Sequence, residues 1–181
     1  MSANTWKDKI GRTRAYSKDH LGREDVVIWD VLKIDKEQWI KIEFISKNSL
    51  YSQGIRLAID AGEGHLECEG NVSKSMFFWE NTAPKEFYVK CFSPEGLLSV
   101  YNLWDEGSGP RSLMYGSGMI VEHDGTKTTY RCHDVTLENV RFDKVVFSIE
   151  KVSSEVVGEH TKRQLSTSNI TSGVKKREIG L

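Results

Sequence analysis

The stretch Asp60-Ala61-Gly62-Glu63-Gly64-His65-Leu66-Glu67-Cys68-Glu69 concentrates the residue types from which a metal site is made. Read as a hairpin, it puts His65, Glu67 and Glu69 on one face of a strand and Leu66 and Cys68 on the other. With Asp60 and Glu63 at the turn, that face has oxygen donors for Ca and, through His65, a nitrogen donor for Zn. Spacing weighs against the ion. Alternate residues of a strand stand about 7 Å apart, from ~3.3 Å of rise each, so all three side chains meet at one point only with help from a neighbouring strand. A solvated, charged sheet face is the simpler account of the same residues.

A second chemical candidate runs from Trp104 to Gly118. Trp104 and Tyr115 offer flat faces, while Asp105, Glu106 and Arg111 offer directional hydrogen bonds, a mixture that suits a carbohydrate or protein ligand. A connection of this length between strands is either functional or unstructured, and its aromatic content argues against the latter. Gly107-Ser108-Gly109-Pro110-Arg111-Ser112 lacks the lysine-serine/threonine ending and the following helix of a phosphate-binding loop. The competing reading is that Leu113–Tyr115 form a short strand that plugs the end of the fold. Hydrolytic chemistry is poorly supported. His133 and Asp134 are adjacent and point to opposite sides of an extended chain, which spoils a triad with Ser112 or Ser117, and Gly116-Ser117-Gly118 is too short for a nucleophile elbow.

These residues must be positioned by strands, because the apolar pattern has a period of two. Ile40, Ile42 and Phe44 share one parity, as do Ile55, Leu57 and Ile59, then Phe87, Val89 and Cys91, then Leu98, Val100 and Trp104, and finally Val145, Phe147 and Ile149. The β-branched run from Val26 begins a strand reaching about Ile34. Asp124-Gly125 between two alternating runs is a strong hairpin signal, and Ser93-Pro94-Glu95-Gly96 has turn chemistry at each position. The spacing predicts nine or ten antiparallel strands in an all-β sandwich or jelly roll, with no βαβ rhythm. The aromatic segment Phe77-Phe78-Trp79, with Phe87 and Tyr88, predicts a strand covered on both faces or a partner surface near Phe78, Tyr88 and Tyr101.

Charge is unevenly placed along the 181 residues, although the formal net charge is only −1. Residues 1–23 hold six Lys/Arg and two Asp/Glu, and residues 153–181 hold five and three, which leaves 14 basic and 21 acidic residues between them. The expected organisation is a basic N-terminal arm (1–23), a β-domain (24–152) and a polar, disordered tail (153–181). An acidic body repels phosphates and argues against a nucleic-acid platform there. Cys68, Cys91 and Cys132 are far apart and share the parity of apolar neighbours, so they read as buried free thiols of a cytoplasmic protein. No run approaches the ~18 apolar residues of a membrane-spanning helix, and the first residues lack the apolar stretch of a secretory signal.

The function these residues favour is a non-catalytic binding module that takes a carbohydrate or protein through the 104–118 loop. An oligomeric structural or adaptor protein packing through a sheet face is the second reading. A metal-dependent enzyme around His65, Glu67 and Glu69 is the third.

Overall fold

Alternation of apolar and polar side chains produces the expected result, an antiparallel all-β body. The computed structural model describes residues 9–20, 22–114, 116–135 and 138–174. The described residues form thirteen strands and one helix. In chain order they are β1 (Ala15–Tyr16), β2 (Val27–Lys33), β3 (Glu37–Lys47), β4 (Ser52–Ala58), β5 (His65–Cys68), β6 (Asn71–Ser73), β7 (Ser75–Trp79), β8 (Glu86–Phe92), β9 (Leu97–Asp105), β10 (Pro110–Arg111), β11 (Gly118–Asp124), β12 (Lys127–His133), β13 (Val145–Val152) and α1 (Ser154–Val174). All ten strands anticipated from the sequence are present. The additions are three very short strands, β1, β6 and β10.

The strands form one nearly closed, barrel-like sheet in the order β6-β5-β8-β3-β13-β12-β11-β2-β9-β4-β7, with β1 against β2 and β10 against β9. Two layers share the interior. Ile40, Ile42 and Phe44 of β3, Phe87, Val89 and Cys91 of β8, and Phe147 and Ile149 of β13 face Ile55 and Leu57 of β4 and Leu98 and Val100 of β9. Tyr130 stacks on Phe147, with centroids 4.7 Å apart and an interplanar angle of 11°, and Phe44 lies against Phe87 and Phe147. Burial of these side chains at about 25 cal/mol per Å² is the main force holding the layers together.

The seam on which the rest of the molecule turns is β2. It pairs with β11 at Val27↔Met119, then leaves β11 and pairs with β9 from Asp30↔Val100 to Lys33↔Leu97. One strand therefore serves both layers, and where it parts from β11 a gap opens. The arm crosses beside that gap. Ala15 and Tyr16 pair with Trp29 and Val27, and Arg12 forms an ion pair with Glu95, with Nη2 donating to Oε1 at 2.8 Å. The docked part of the arm is thus an ordered element of the sheet.

Two departures from expectation concern the C-terminal segment and the aromatic cluster. Ser154–Val174 is helical, where composition predicted a disordered tail. The helix has no apolar stripe. Among the described residues, His160 meets the body, 4.9 Å from the Tyr88 ring, and Thr161 and Thr167 bond back to the carbonyls of Val157 and Arg163. Residues 175–181 lie outside the described residues, as do residues 1–8. The predicted surface at Phe78, Tyr88 and Tyr101 is largely used internally: Phe78 packs on Phe87, Tyr88 is covered by His160, and Tyr101 lies beneath the Arg56 guanidinium. Phe77, 54% exposed, is the member of that group that faces outward.

Candidate functional site

The gap between β2 and β11 holds a polar group that the core does not need. Asp30 interrupts the apolar run of β2 at an inward-facing position and is completely buried. Its carboxylate accepts three bonds: Arg14 Nε donates to Oδ1 at 2.6 Å, the Val31 amide to Oδ1 at 2.9 Å, and the Tyr130 hydroxyl to Oδ2 at 2.8 Å. A carboxylate without water must be satisfied in this way, since an isolated buried charge costs several kcal/mol. Burial, then the neighbouring carboxylate charge, pushes the Tyr130 hydroxyl well above its usual 10, so it remains a donor. Burial lowers the Arg14 value, but the bond to Asp30 and the carboxylate charge outweigh it, and the guanidinium holds its proton more tightly than usual.

Arg14 also decides the state of a histidine on the other side of the gap. Its Nη2 lies 3.2 Å from His123 Nε2. A guanidinium can only donate, so Nε2 accepts and the ring hydrogen sits on Nδ1. Nδ1 then donates to Thr128 Oγ1 at 3.0 Å, leaving the threonine hydroxyl hydrogen for a second partner. One arm residue therefore ties β2 to β11 across the opening and fixes an imidazole at its rim.

These groups border a cavity of about 380 Å³, lined by Arg14, Val31, Leu32, Lys33, His123, Gly125, Thr126, Thr128, Ile149 and Lys151. Thr128 and Ile149 are buried and form its floor, Val31 and Leu32 its half-buried wall, and Lys33, His123 and Lys151 its exposed rim. The lining contains no acidic side chain, although the surrounding body is acidic. Among the described residues neither Lys33 nor Lys151 is in an ion pair.

The 104–118 candidates are placed differently from expectation. Trp104 is fully buried in β9, at the inward parity of Leu98 and Val100, so it presents no face to a ligand. Its indole Nε1 donates to Glu106 Oε1 at 3.1 Å. Asp105 Oδ1 accepts from the amides of Gly107 and Gly109, and Arg111 donates to Ser108 Oγ. With Arg111↔Trp104 and Pro110↔Asp105 paired, this part of the loop is a small self-satisfied hairpin. Tyr115 lies outside the described residues.

His65 and Glu67 do meet, with Nε2 and Oε1 3.1 Å apart, and His65 stacks on Phe92 at 4.5 Å. Gly64 makes this possible. With φ of +138° it brings the chain so close to β8 that a Cβ would sit 2.1 Å from the Phe92 carbonyl oxygen. Glu69 is not on the strand. It occupies a turn with φ of 49°, beyond the end of β5 at Cys68, so the three-residue face anticipated from sequence is not formed. Among the described residues no three His, Cys, Asp or Glu side chains are grouped so as to hold a metal ion. Ser117 Oγ donates to the Met114 carbonyl, and Asp134 accepts from Ser49 and Gln53, so the imagined nucleophile set is dispersed among structural bonds.

Comparison with known proteins leaves these residues to speak for themselves: the chain matches no family model, no curated protein and no solved structure. No helix among the described residues is long and apolar enough to cross a membrane.

Proposed function

We propose that the protein is a non-catalytic binding module whose ligand enters the opening between β2 and β11. The observation that carries this reading is the Arg14–Asp30–Tyr130 group beside a lined cavity. A buried ion pair is weak stabilisation for a fold, and apolar residues of similar volume commonly serve as well. Its placement where β2 leaves β11 for β9 suits a role in holding an opening in shape. The cavity volume lies at the lower end of the range of about 300–1,000 Å³ found for small-molecule sites. A small ligand fits there and the surface of a polymer does not. His123 is turned so that its Nδ1 donates to Thr128 Oγ1 while Arg14 occupies Nε2, so the ring is not placed to take a proton from that hydroxyl, which favours binding over catalysis.

A thermal-shift screen of a small-metabolite collection, followed by amide chemical-shift mapping of each hit, tests the proposal. The expected result is a ligand whose shifts concentrate at Val31–Lys33, Thr126–Thr128 and Ile149. Hits that map consistently elsewhere, or a collection that yields none, overturn it.

A further inference from the structure

The chemistry of this cavity restricts its ligand further. The inference rests on the binding reading above. Apolar surface lies on the floor at Ile149 and on the wall at Leu32 and Val31, while cationic groups stand at the rim, on Lys33, Lys151 and the flank of Arg14. Asp30 already balances Arg14, so the charge left for a ligand is that of the two lysines, both without ion-pair partners among the described residues. His123 adds no competing negative charge, and its accepting nitrogen is occupied by Arg14. The donors that remain are the lysine ammonium groups at the rim and the Thr128 hydroxyl on the floor, while Arg14, already engaged by Asp30, His123 and Tyr16, adds its positive charge at the flank.

We infer that the ligand is a small amphiphile that carries an anionic head group, carboxylate or phosphate, on a short apolar body. The body lies on Ile149, Leu32 and Val31 and the head is held at the rim by Lys33, Lys151 and Arg14. A neutral ligand would leave the two ammonium groups at the mouth without a counter-charge. A bare anion would leave the apolar floor wet. A dicationic or zwitterionic amine would meet like charge at the rim.

Four probes separate the elements of this assignment: octanoate, octyl phosphate, octanol and acetate, each titrated against the full chain and followed by amide chemical shifts. Octanoate or octyl phosphate is expected to saturate the Thr126–Thr128 and Ile149 amides about tenfold more tightly than octanol, a factor that two or three partly exposed charge contacts supply. Whichever head binds better identifies the anion. Acetate is expected to bind far more weakly than octanoate. In the double variant Lys33→Met/Lys151→Met, whose changes lie on exposed side chains and keep their apolar stems, the advantage over octanol should fall severalfold, to what Arg14 alone supplies, while octanol binding is unchanged. Equal affinity for octanol and octanoate, or an octanoate affinity untouched by the double variant, overturns the anionic head. If all four probes fail while another compound from the screen maps to the same amides, the ligand class assigned here is wrong and the binding reading stands. If nothing maps there, both fall.

Discussion

Arg14 Nε lies 2.6 Å from Asp30 Oδ1, yet the two partners differ in access to water: the arginine side chain is 28% exposed and the aspartate 0%. Breaking the pair from either side is therefore not equivalent. Without Asp30, the guanidinium can turn outward and be solvated. Without Arg14, a carboxylate is left in the interior with only Tyr130 and one amide. Arg14→Met should cost about 3–5 kcal/mol, the usual penalty for orphaning a buried charge. Asp30→Asn, which removes the charge and keeps the shape, should cost about 1–2 kcal/mol. Urea midpoints at constant m-value give the order. An Arg14→Met variant as stable as Asp30→Asn contradicts the assignment of Asp30 as a buried anion.

Trp104 and Arg111 are cross-strand neighbours with opposite roles. Trp104→Ala empties a large volume in the core and should cost about 3–5 kcal/mol. For a chain of this size that lowers Tm by about 6–20 °C. Arg111→Ala removes one exposed bond within its own hairpin and should stay within about 0.5 kcal/mol. Melting curves that move equally for both would return Trp104 to the surface.

The three cysteines are free thiols. Burial pushes the Cys91 thiol up to about 12 and Cys132 well above the usual value, and burial with the nearby Glu69 charge raises half-buried Cys68. The thiolate is the reactive form. A thiol-reactive disulfide at pH 8 should leave Cys91 and Cys132 unmodified in the native protein, modify Cys68 slowly and count all three in guanidinium. Because the folded state holds these protons more tightly, this contribution to stability is present below the ordinary value of 9.0 and is lost as pH rises through about 12. Rapid modification of Cys91 without unfolding would contradict its place in the core.

Asp60 shows the opposite sign. Burial raises its carboxyl, but two Arg56 bonds of 2.9 Å and the guanidinium charge outweigh it, and the value lies below the usual 3.8. A depressed folded value stabilises above the unfolded value and is lost as pH falls through the folded one. The native protein should therefore lose stability as pH falls below about 3.8, and Arg56→Met should flatten that part of the curve. Tm measured from pH 6 to pH 2 tests it; parallel curves for both proteins would remove the linkage.

Alternation, a β-branched run and turn chemistry together located the main strands, and alternation placed Trp104, through its parity with Leu98 and Val100, on the inward side. Reading the same tryptophan as a ligand platform set loop length against parity, and parity was the better guide because it reports which face the backbone presents. Asp30 went unread, although a lone acid in an otherwise apolar run is a signal that a buried partner must exist. Its partners were not legible. Tyr130 lies 100 residues away, and Arg14 sits in a segment whose polar composition hides a short strand. Pairings at such separation depend on which strands become neighbours, and β2 changing layers between Val27 and Asp30 leaves no periodic trace. The helix at Ser154–Val174 escaped for a related reason: without an apolar stripe, nothing in its spacing distinguishes it from solvated chain.

The arm that carries Arg14 depends on Gly11. Its φ is +69°, and a Cβ there would lie 2.6 Å from Asp60 Cβ and 2.7 Å from the Ala61 amide nitrogen, so both conformation and space demand glycine. Gly22, with φ of +76° and nothing within 4 Å, has the same backbone requirement without the close approach. Gly11→Ala should lift the start of the arm from the body, exposing Arg12 and Arg14 to trypsin, while Gly22→Ala imposes only local strain, about 1 kcal/mol. Limited proteolysis read by mass spectrometry should show cleavage after Arg12 and Arg14 severalfold faster in Gly11→Ala than in the parent or Gly22→Ala. Cleavage after Lys41, in the middle of β3, should be unchanged in all three proteins. If the two alanine variants are cut at the same rate in the arm, close contact with Asp60 and Ala61 is not what holds Arg14 over the gap.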